Sequence, residues 1–244
     1  THWEFAYRES WDKSNHPGMT SQFCGIVDLR AKQGFTVYQT NLRSDMGAAD
    51  RYWIDGGMPK GAEDLPNVAF YQQELDRRMA YIADAGLVNA LGQSWAFSIR
   101  GEHGVEHQKH LARYLVARYG AYPMVWTLAG EVAGYGEENR AAFVEGWREV
   151  ALEIEARDGY GHLATAHYTN ERPFADYYQD ELWMDFTLNQ AGHGDYLIKA
   201  SDYYDYLAKY GDKPFVEGEA LYEFCSTLEE MGTRLCTADM LRRV

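Results

Sequence analysis

Six short apolar, β-prone runs alternate with stretches of helical pattern along most of the chain, and this alternation limits the fold more than any other feature. Residues 19–33 carry a helical pattern and lead into Gly34-Phe35-Thr36-Val37-Tyr38-Gln39. Residues 67–84 place Phe70, Leu75, Met79 and Ile82 on one face ahead of Gly86-Leu87-Val88-Asn89-Ala90-Leu91. Residues 104–119 feed a strand over Pro123–Gly130, and residues 138–157 precede His162-Leu163-Ala164-Thr165-Ala166-His167. Trp183-Met184-Asp185-Phe186-Thr187-Leu188 reads as strand, residues 198–210 as a Tyr-rich helix, Pro214–Glu219 as strand, and a last helix runs to the end. Strands and helices alternating through short links dictate a parallel α/β fold.

Units of about 30–50 residues suit a (β/α)8 TIM barrel better than a doubly wound sheet. No Gly-x-Gly-x-x-Gly turn marks a dinucleotide crevice. The 244 residues match a single barrel domain spanning 1–244, with no repeat, low-complexity tract or long linker. A domain of this size buries roughly 70% or more of its unfolded surface. A closed barrel needs eight strands, and only six are clear, with a further piece at Trp3–Tyr7. An open parallel sheet would leave two unpaired edges. The expectation is therefore a clipped barrel, with strand 1 partial and strand 8 missing; a partner or second chain completing the barrel is the alternative. A chain that starts at Thr1 without Met agrees with that expectation.

Composition removes several partner classes. Net charge is −14, from 23 basic and 37 acidic residues, which disfavours a nucleic-acid backbone or an anionic membrane as partner. No run of about 18 apolar residues is present to span a membrane, and no signal peptide is visible. Three cysteines, Cys24, Cys225 and Cys236, are too few for a disulfide framework; Cys24 and Cys225 read as small buried hydrophobes. Aromatics reach 15% of the chain, with 19 Tyr and 7 Trp, enough to supply stacking platforms for sugars beyond those a core needs.

The chemistry concentrates at two strand ends. Ala121-Tyr122-Pro123-Met124-Val125-Trp126-Thr127-Leu128-Ala129-Gly130 ends in Glu131, and Lys213-Pro214-Phe215-Val216-Glu217-Gly218 ends in Glu219. Barrel active sites sit at C-terminal strand ends. Two carboxylates there are the minimum machinery for breaking a glycosidic bond. Glu217 competes with Glu219, because residues two apart in a regular strand share a face. His103, His107 and His110 have helix-compatible spacing, with Glu102 and Glu106 beside them. They precede or lie on a helix instead of ending a strand, and they lack the His-Glu-x-x-His order, so no metal is expected. No Gly-x-Ser-x-Gly elbow supports a serine nucleophile.

These motifs together resemble the apiosidase-like glycoside hydrolases, relatives of the retaining clan-A barrels. The resemblance covers almost the whole chain. It is strongest from His110-Leu111-Ala112-Arg113-Tyr114 through Arg118-Tyr119-Gly120-Ala121-Tyr122-Pro123 to Trp126 and Ala129-Gly130-Glu131. It continues in Gly34-Phe35-Thr36-Val37-Tyr38-Gln39, Gln190-Ala191-Gly192-His193-Gly194, and Gly218-Glu219 with Tyr222-Glu223. Thr1-His2-Trp3 is similar to the tail of the family's Asp-Thr-x-Trp at the end of strand 1. The family's glycine-rich eighth strand has no counterpart here.

The resemblance implies a retaining hydrolase of a poly- or oligosaccharide, of plant or microbial origin, that needs no cofactor and works in a secreted or periplasmic setting. It implies Glu131 as acid/base and Glu219 as nucleophile, through the Gly-Glu-x-x-Tyr-Glu match, with Tyr222 steadying the nucleophile and Glu223 anchoring a loop. Gln39, Asn41, Gln93 and Trp95 at strand ends are candidate sugar contacts, Trp95 as a stacking floor. Gln190 and His193, and likewise His167, are candidate sugar-hydroxyl or acid/base partners, and Trp3 and Glu4 are weaker ones. Two features depart from the pattern. Clan-A enzymes often carry Asn before the acid/base to hold the substrate 2-hydroxyl, whereas this chain has Gly130. The segment Arg43–Pro66 matches no recognised pattern. A non-catalytic carbohydrate-binding barrel and a metal-dependent barrel hydrolase are the rival readings.

Overall fold

The structure, a computed structural model, describes residue 18 and residues 21–42, 65–134, 136–168, 176–190 and 200–219. Helix α1 (Gln22–Lys32) begins where the Ser21 hydroxyl accepts the Cys24 backbone N–H at 3.2 Å, satisfying one of the donors a helix start leaves open. Strand β1 (Val37–Asn41) follows. The next helical segment is continuous but uneven: α2 (Val68–Phe70), a π-helical turn (Tyr71–Leu75) and α3 (Asp76–Asp84). The π turn is what lets Phe70 and Leu75, five residues apart, serve the face that Met79 and Ile82 continue; regular α geometry would rotate Leu75 away. Leu75, Met79 and Ile82 are buried and Phe70 packs against them.

The remaining elements are β2 (Val88–Gly92), β3 (Ser94–Trp95), a 3-10 turn (Ala96–Ile99), α4 (Gly104–Tyr119), β4 (Met124–Trp126), β5 (Ala129–Gly130), α5 (Glu137–Arg157), β6 (Thr187–Gln190), α6 (Ala200–Tyr210) and β7 (Phe215–Glu219). Every ladder between the strands of the described residues is parallel. β1 pairs with β2 from Val37↔Val88 to Asn41↔Gly92, β2 with β4, β3 with β5, and β6 with β7. Isolated parallel bridges at Trp126↔Ala164 and His167↔Leu188 carry the neighbour relation from β4 to β6. Order in space thus follows order in sequence, as successive strand–helix–strand units require. The described ladders form three sheets and do not close into a ring.

Two expected strands come out differently. Residues 162–167 make only the two bridges, because side chains take the place of a ladder. Asp185 accepts the Ala164 N–H on its carboxylate at 2.7 Å, and Thr165 Oγ1 donates to the Phe186 carbonyl at 2.6 Å. Residues 183–186 are turn and bend, so the strand begins at Thr187. The run over Pro123–Gly130 splits at Thr127-Leu128, where Leu128 takes a left-handed φ of 54° and its carbonyl accepts the Gln93 N–H at 2.6 Å. The piece at Trp3–Tyr7 and the last helix lie outside the described residues.

Helices α4 and α5 pack on each other and on the sheets, burying Leu111, Leu115, Trp147, Val150 and Ile154. Each such apolar side chain contributes roughly 1.5–3 kcal/mol by leaving water. The Trp147 indole N–H donates to the Ala96 carbonyl at 3.2 Å, so its polar atom is satisfied inside the core. Arg118 grips Asp76 with two nitrogens at 2.7 and 2.6 Å, and Tyr119 donates to the same carboxylate, tying α4 to α3. Cys24 is half-buried and packs on the core, while Cys225 and Cys236 lie outside the described residues. Among the described residues no helix is long and apolar enough to cross a membrane.

At the N-terminal end of the strands Asp158 acts as a hub. It accepts from the Trp126 indole, from the Tyr160 and His162 backbone N–H groups, and faces the His162 ring. Burial pushes its carboxyl up, but these hydrogen bonds outweigh burial and hold it below its ordinary value.

Candidate active site

Because the strands are parallel, their last residues share one end. Asn41 closes β1, Trp95 closes β3, Glu131 follows β5, His167 makes the second bridge, Gln190 closes β6 and Glu219 closes β7. Both candidate carboxylates are buried to about a tenth of full exposure, 9% for Glu131 and 8% for Glu219.

Glu131 sits on a bent backbone. Leu128 and Glu131, with φ of 54° and 55°, are the two non-glycine residues with left-handed backbone among those described, and they flank β5. Such a conformation costs on the order of 1–3 kcal/mol per residue and is retained only where surrounding contacts over-determine it. Here the contacts come from His167: its ring Nδ1 accepts the Glu131 N–H at 3.3 Å, and its carbonyl accepts the Val132 N–H at 3.0 Å. The Glu131 carbonyl in turn accepts the Gly134 N–H at 2.7 Å.

The other nitrogen of the same ring reaches the second carboxylate. His167 Nε2 lies 3.0 Å from Glu219 Oε2, along a line oblique to the ring N–H direction. His167 is fully buried, so its ring meets Glu131 and Glu219 and not solvent. Of the two roles its position at a strand end suggested, this geometry brings the ring beside both carboxylates.

A bulge separates Glu217 from Glu219. Asn189 pairs with Glu217 and Gln190 with Glu219, so two steps on β7 match one step on β6. Neighbours along β6 point to opposite faces, and Glu217 and Glu219 follow them. Glu217 accepts from Asn189 Nδ2 at 2.7 Å and from the Tyr203 hydroxyl of α6 at 3.2 Å, facing the helix layer. The expectation that both carboxylates share a face is corrected by this bulge. Gly218 is the residue that permits it: a Cβ there would stand 2.3 Å from Leu188 Cδ1.

Trp95 and Gly130 form a second contact that the sequence did not announce. A Cβ at position 130 would stand 2.7 Å from two carbons of the Trp95 ring. The indole therefore fills the space a side chain at position 130 would need, one residue from Glu131.

The other candidates divide. The Asn41 amide donates to the Ser94 carbonyl at 2.7 Å and braces β1 against β3. The Gln93 amide is spent on the Gln108 carbonyl and side chain, both at 2.9 Å, so it points into α4, and its expected role as a sugar contact is corrected to a structural one. Gln39 is partly exposed in the middle of β1, and Asn41, not Gln39, ends that strand. Gln190 is buried beside Glu219, and its Oε1 has no hydrogen-bond partner among the described residues. Trp3, Glu4, His193, Tyr222 and Glu223 lie outside the described residues. His107 is buried inside α4, and among the described residues no three His, Cys, Asp or Glu side chains are grouped to hold a metal ion.

Solved structures share this architecture. One described as a glycoside hydrolase superposes with a TM-score of 0.67 at 22% identity, covering 88% of this chain and 52% of that one. This chain thus spans about half the length of that protein. A putative glycoside hydrolase from Bacteroides vulgatus aligns with a TM-score of 0.54 at 14% identity, over 84% of this chain and 41% of its own. Thermotoga maritima Cel5A, solved with mannotriose, aligns with a TM-score of 0.58 at 12% identity, over 96% of this chain and 94% of its own. At these identities the likeness is one of fold. No curated protein matches the chain in sequence. The family described as apiosidase-like, catalytic domain, matches residues 1–244, and the chain belongs to that family.

Proposed function

We propose that this domain hydrolyses a glycosidic bond in a poly- or oligosaccharide by a retaining mechanism, on a (β/α)8 barrel to which the six described strand positions belong. The observation that carries the reading is the bridge from the Glu131 backbone through His167 to the Glu219 carboxylate at the strand ends. Membership of the apiosidase-like family supports it, as do fold neighbours solved with mannotriose or a xyloglucan oligosaccharide.

In the first step a Glu219 carboxylate oxygen attacks the anomeric carbon. The bond to the leaving oxygen breaks, and that oxygen takes the proton of the Glu131 carboxylic acid. In the second step Glu131, now a carboxylate, removes a proton from water as the water oxygen attacks the same carbon. The bond to Glu219 breaks and its carboxylate is restored. The Trp95 indole beside Gly130 offers an aromatic face to the sugar next to Glu131.

A panel of aryl glycosides and plant or microbial oligosaccharides tests the reading. The expected result is turnover by the wild-type chain, with the first product released in the anomeric configuration of the substrate. An inverted product would overturn retention. Sugar binding without any turnover would favour a non-catalytic binding barrel, and activity lost to a chelator would favour a metal-dependent hydrolase.

A further inference from the structure

One nitrogen of the His167 ring is already committed. The Glu131 backbone N–H donates to Nδ1 at 3.3 Å. A backbone amide N–H has no lone pair to offer, so Nδ1 accepts and carries no proton. In a neutral imidazole the proton then sits on Nε2. A doubly protonated ring would set N–H against N–H at Glu131. Nε2 lies 3.0 Å from Glu219 Oε2, on a line too oblique to the ring N–H to make a hydrogen bond in this structure. Hydrogen bonds at catalytic groups are commonly misaligned without substrate and tighten when it binds.

The backbone holds this ring in place from both sides. The His167 carbonyl accepts the Val132 N–H, and the Tyr168 N–H reaches the Leu188 carbonyl. The ring is fully buried. The His167 backbone is therefore held between the residue that follows Glu131 and strand β6.

We propose that His167 is a positioning residue. As the Nε2–H tautomer it orients the Glu219 carboxylate for attack and ties it to the backbone that carries Glu131. This inference rests on the reading of Glu131 and Glu219 as a hydrolytic pair. The tautomer is chosen by the left-handed turn at Glu131, which aims a main-chain N–H at the ring. A substitution that straightened this turn would let the ring proton move to Nδ1 and leave Oε2 without its donor.

Two measurements test this. In ring-labelled protein, with the His167 signals assigned by their loss in His167→Gln, nitrogen NMR is expected to show a protonated Nε2 and an unprotonated Nδ1. The Nε2–H resonance is expected to move in Glu219→Gln. A protonated Nδ1, or an Nε2–H that ignores Glu219→Gln, overturns the bridge whether or not the protein is a glycosidase. On the best glycoside of the panel, His167→Ala is expected to lower kcat about 100-fold or more, as misplacement of a reacting group does. KM stays within about threefold, and the loss is equal for good and poor leaving groups. His167→Gln, which can accept from Glu131 and donate to Glu219, is expected to recover about tenfold, the worth of one charge-assisted hydrogen bond. A loss carried by KM alone, or no recovery with Gln in a folded variant, overturns the positioning role. A wild-type chain that turns over no glycoside overturns the hydrolase reading and the catalytic half of this one, while the NMR result still decides the bridge.

Discussion

The Trp95 indole lies so close to Gly130 that a single added carbon would come within 2.7 Å of two of its ring atoms. Position 130 is thus committed to glycine by an aromatic ring contributed from the neighbouring strand pair, where Trp95 and Gly130 are register partners. Replacing Gly130 with Ala is expected to cost about 1–3 kcal/mol, as overpacking of a well-filled site does. Thermal unfolding and Trp fluorescence check the displacement of the ring. Gly130→Asn, which would put a longer side chain against the same ring, is expected to lower activity. Trp95→Ala combined with Gly130→Asn is expected to tolerate the amide better than the wild-type background does.

Gly218 should be equally intolerant, through Leu188. Its added Cβ would stand 2.3 Å from Leu188 Cδ1 and 2.8 Å from Cγ. Gly218→Ala is expected to push the end of β7 away from β6 and carry Glu219 with it. Leu188→Ala alone should cost about 2–5 kcal/mol as a cavity. Because the two changes meet at one contact, the double variant is expected to be more stable than the sum of the singles by about 0.5–3 kcal/mol. Denaturant unfolding of the four proteins measures this; strict additivity would contradict the contact.

The bulge separates the consequences of two neighbouring carboxylates. Glu219→Gln is expected to lower kcat on the order of 10⁴-fold or more, the scale of losing a nucleophile. Glu217→Gln should leave kcat/KM within about tenfold while costing about 1 kcal/mol of stability, because it weakens the bonds from Asn189 and Tyr203. Paired kinetics and unfolding curves decide it. The reverse pattern would move the nucleophile to Glu217.

Asp158 should make stability depend on pH at the acid end. Its carboxyl is held below its ordinary value in the folded chain, where hydrogen bonds overcome burial. Its contribution is therefore complete above the unfolded value of about 3.9 and disappears as pH falls through the lower folded value. The stability gap between wild type and Asp158→Asn is expected to be about 1.5–3 kcal/mol at neutral pH, the worth of hydrogen bonds to a charged group. The gap should stay flat down to about pH 5 and close only below pH 4. Unfolding monitored from pH 3 to 7 tests this. A gap that closed well above pH 5 would contradict the depressed Asp158 carboxyl.

Much of the architecture is readable from local pattern. The helical periodicity over residues 104–119 and 138–157 reappears as α4 and α5 within one residue at each end, because a repeating apolar stripe has only one way to face a sheet. The strand-end placement of Glu131 and Glu219 is legible for the same reason. The π turn at Tyr71–Leu75 is not legible in the sequence, whose pattern places Phe70, Leu75, Met79 and Ile82 on one face of a regular helix.

The rest depends on partners distant in sequence. The ladder over residues 162–167 gives way because Asp185, 21 residues beyond Ala164, supplies an acceptor that a strand would otherwise provide. Gln93 stands at a strand end, yet Gln108 draws its amide into a helix. The sequence alone determined the order of strands and helices and which carboxylates end strands, since both follow from periodicity and turn chemistry along a short stretch of chain. The tertiary structure decided which way those carboxylates face and what holds them. The bulge at Gly218, the ring over Gly130 and the histidine between Glu131 and Glu219 each arise from contacts across strands, and no local pattern encodes the shape of the surface on the other side.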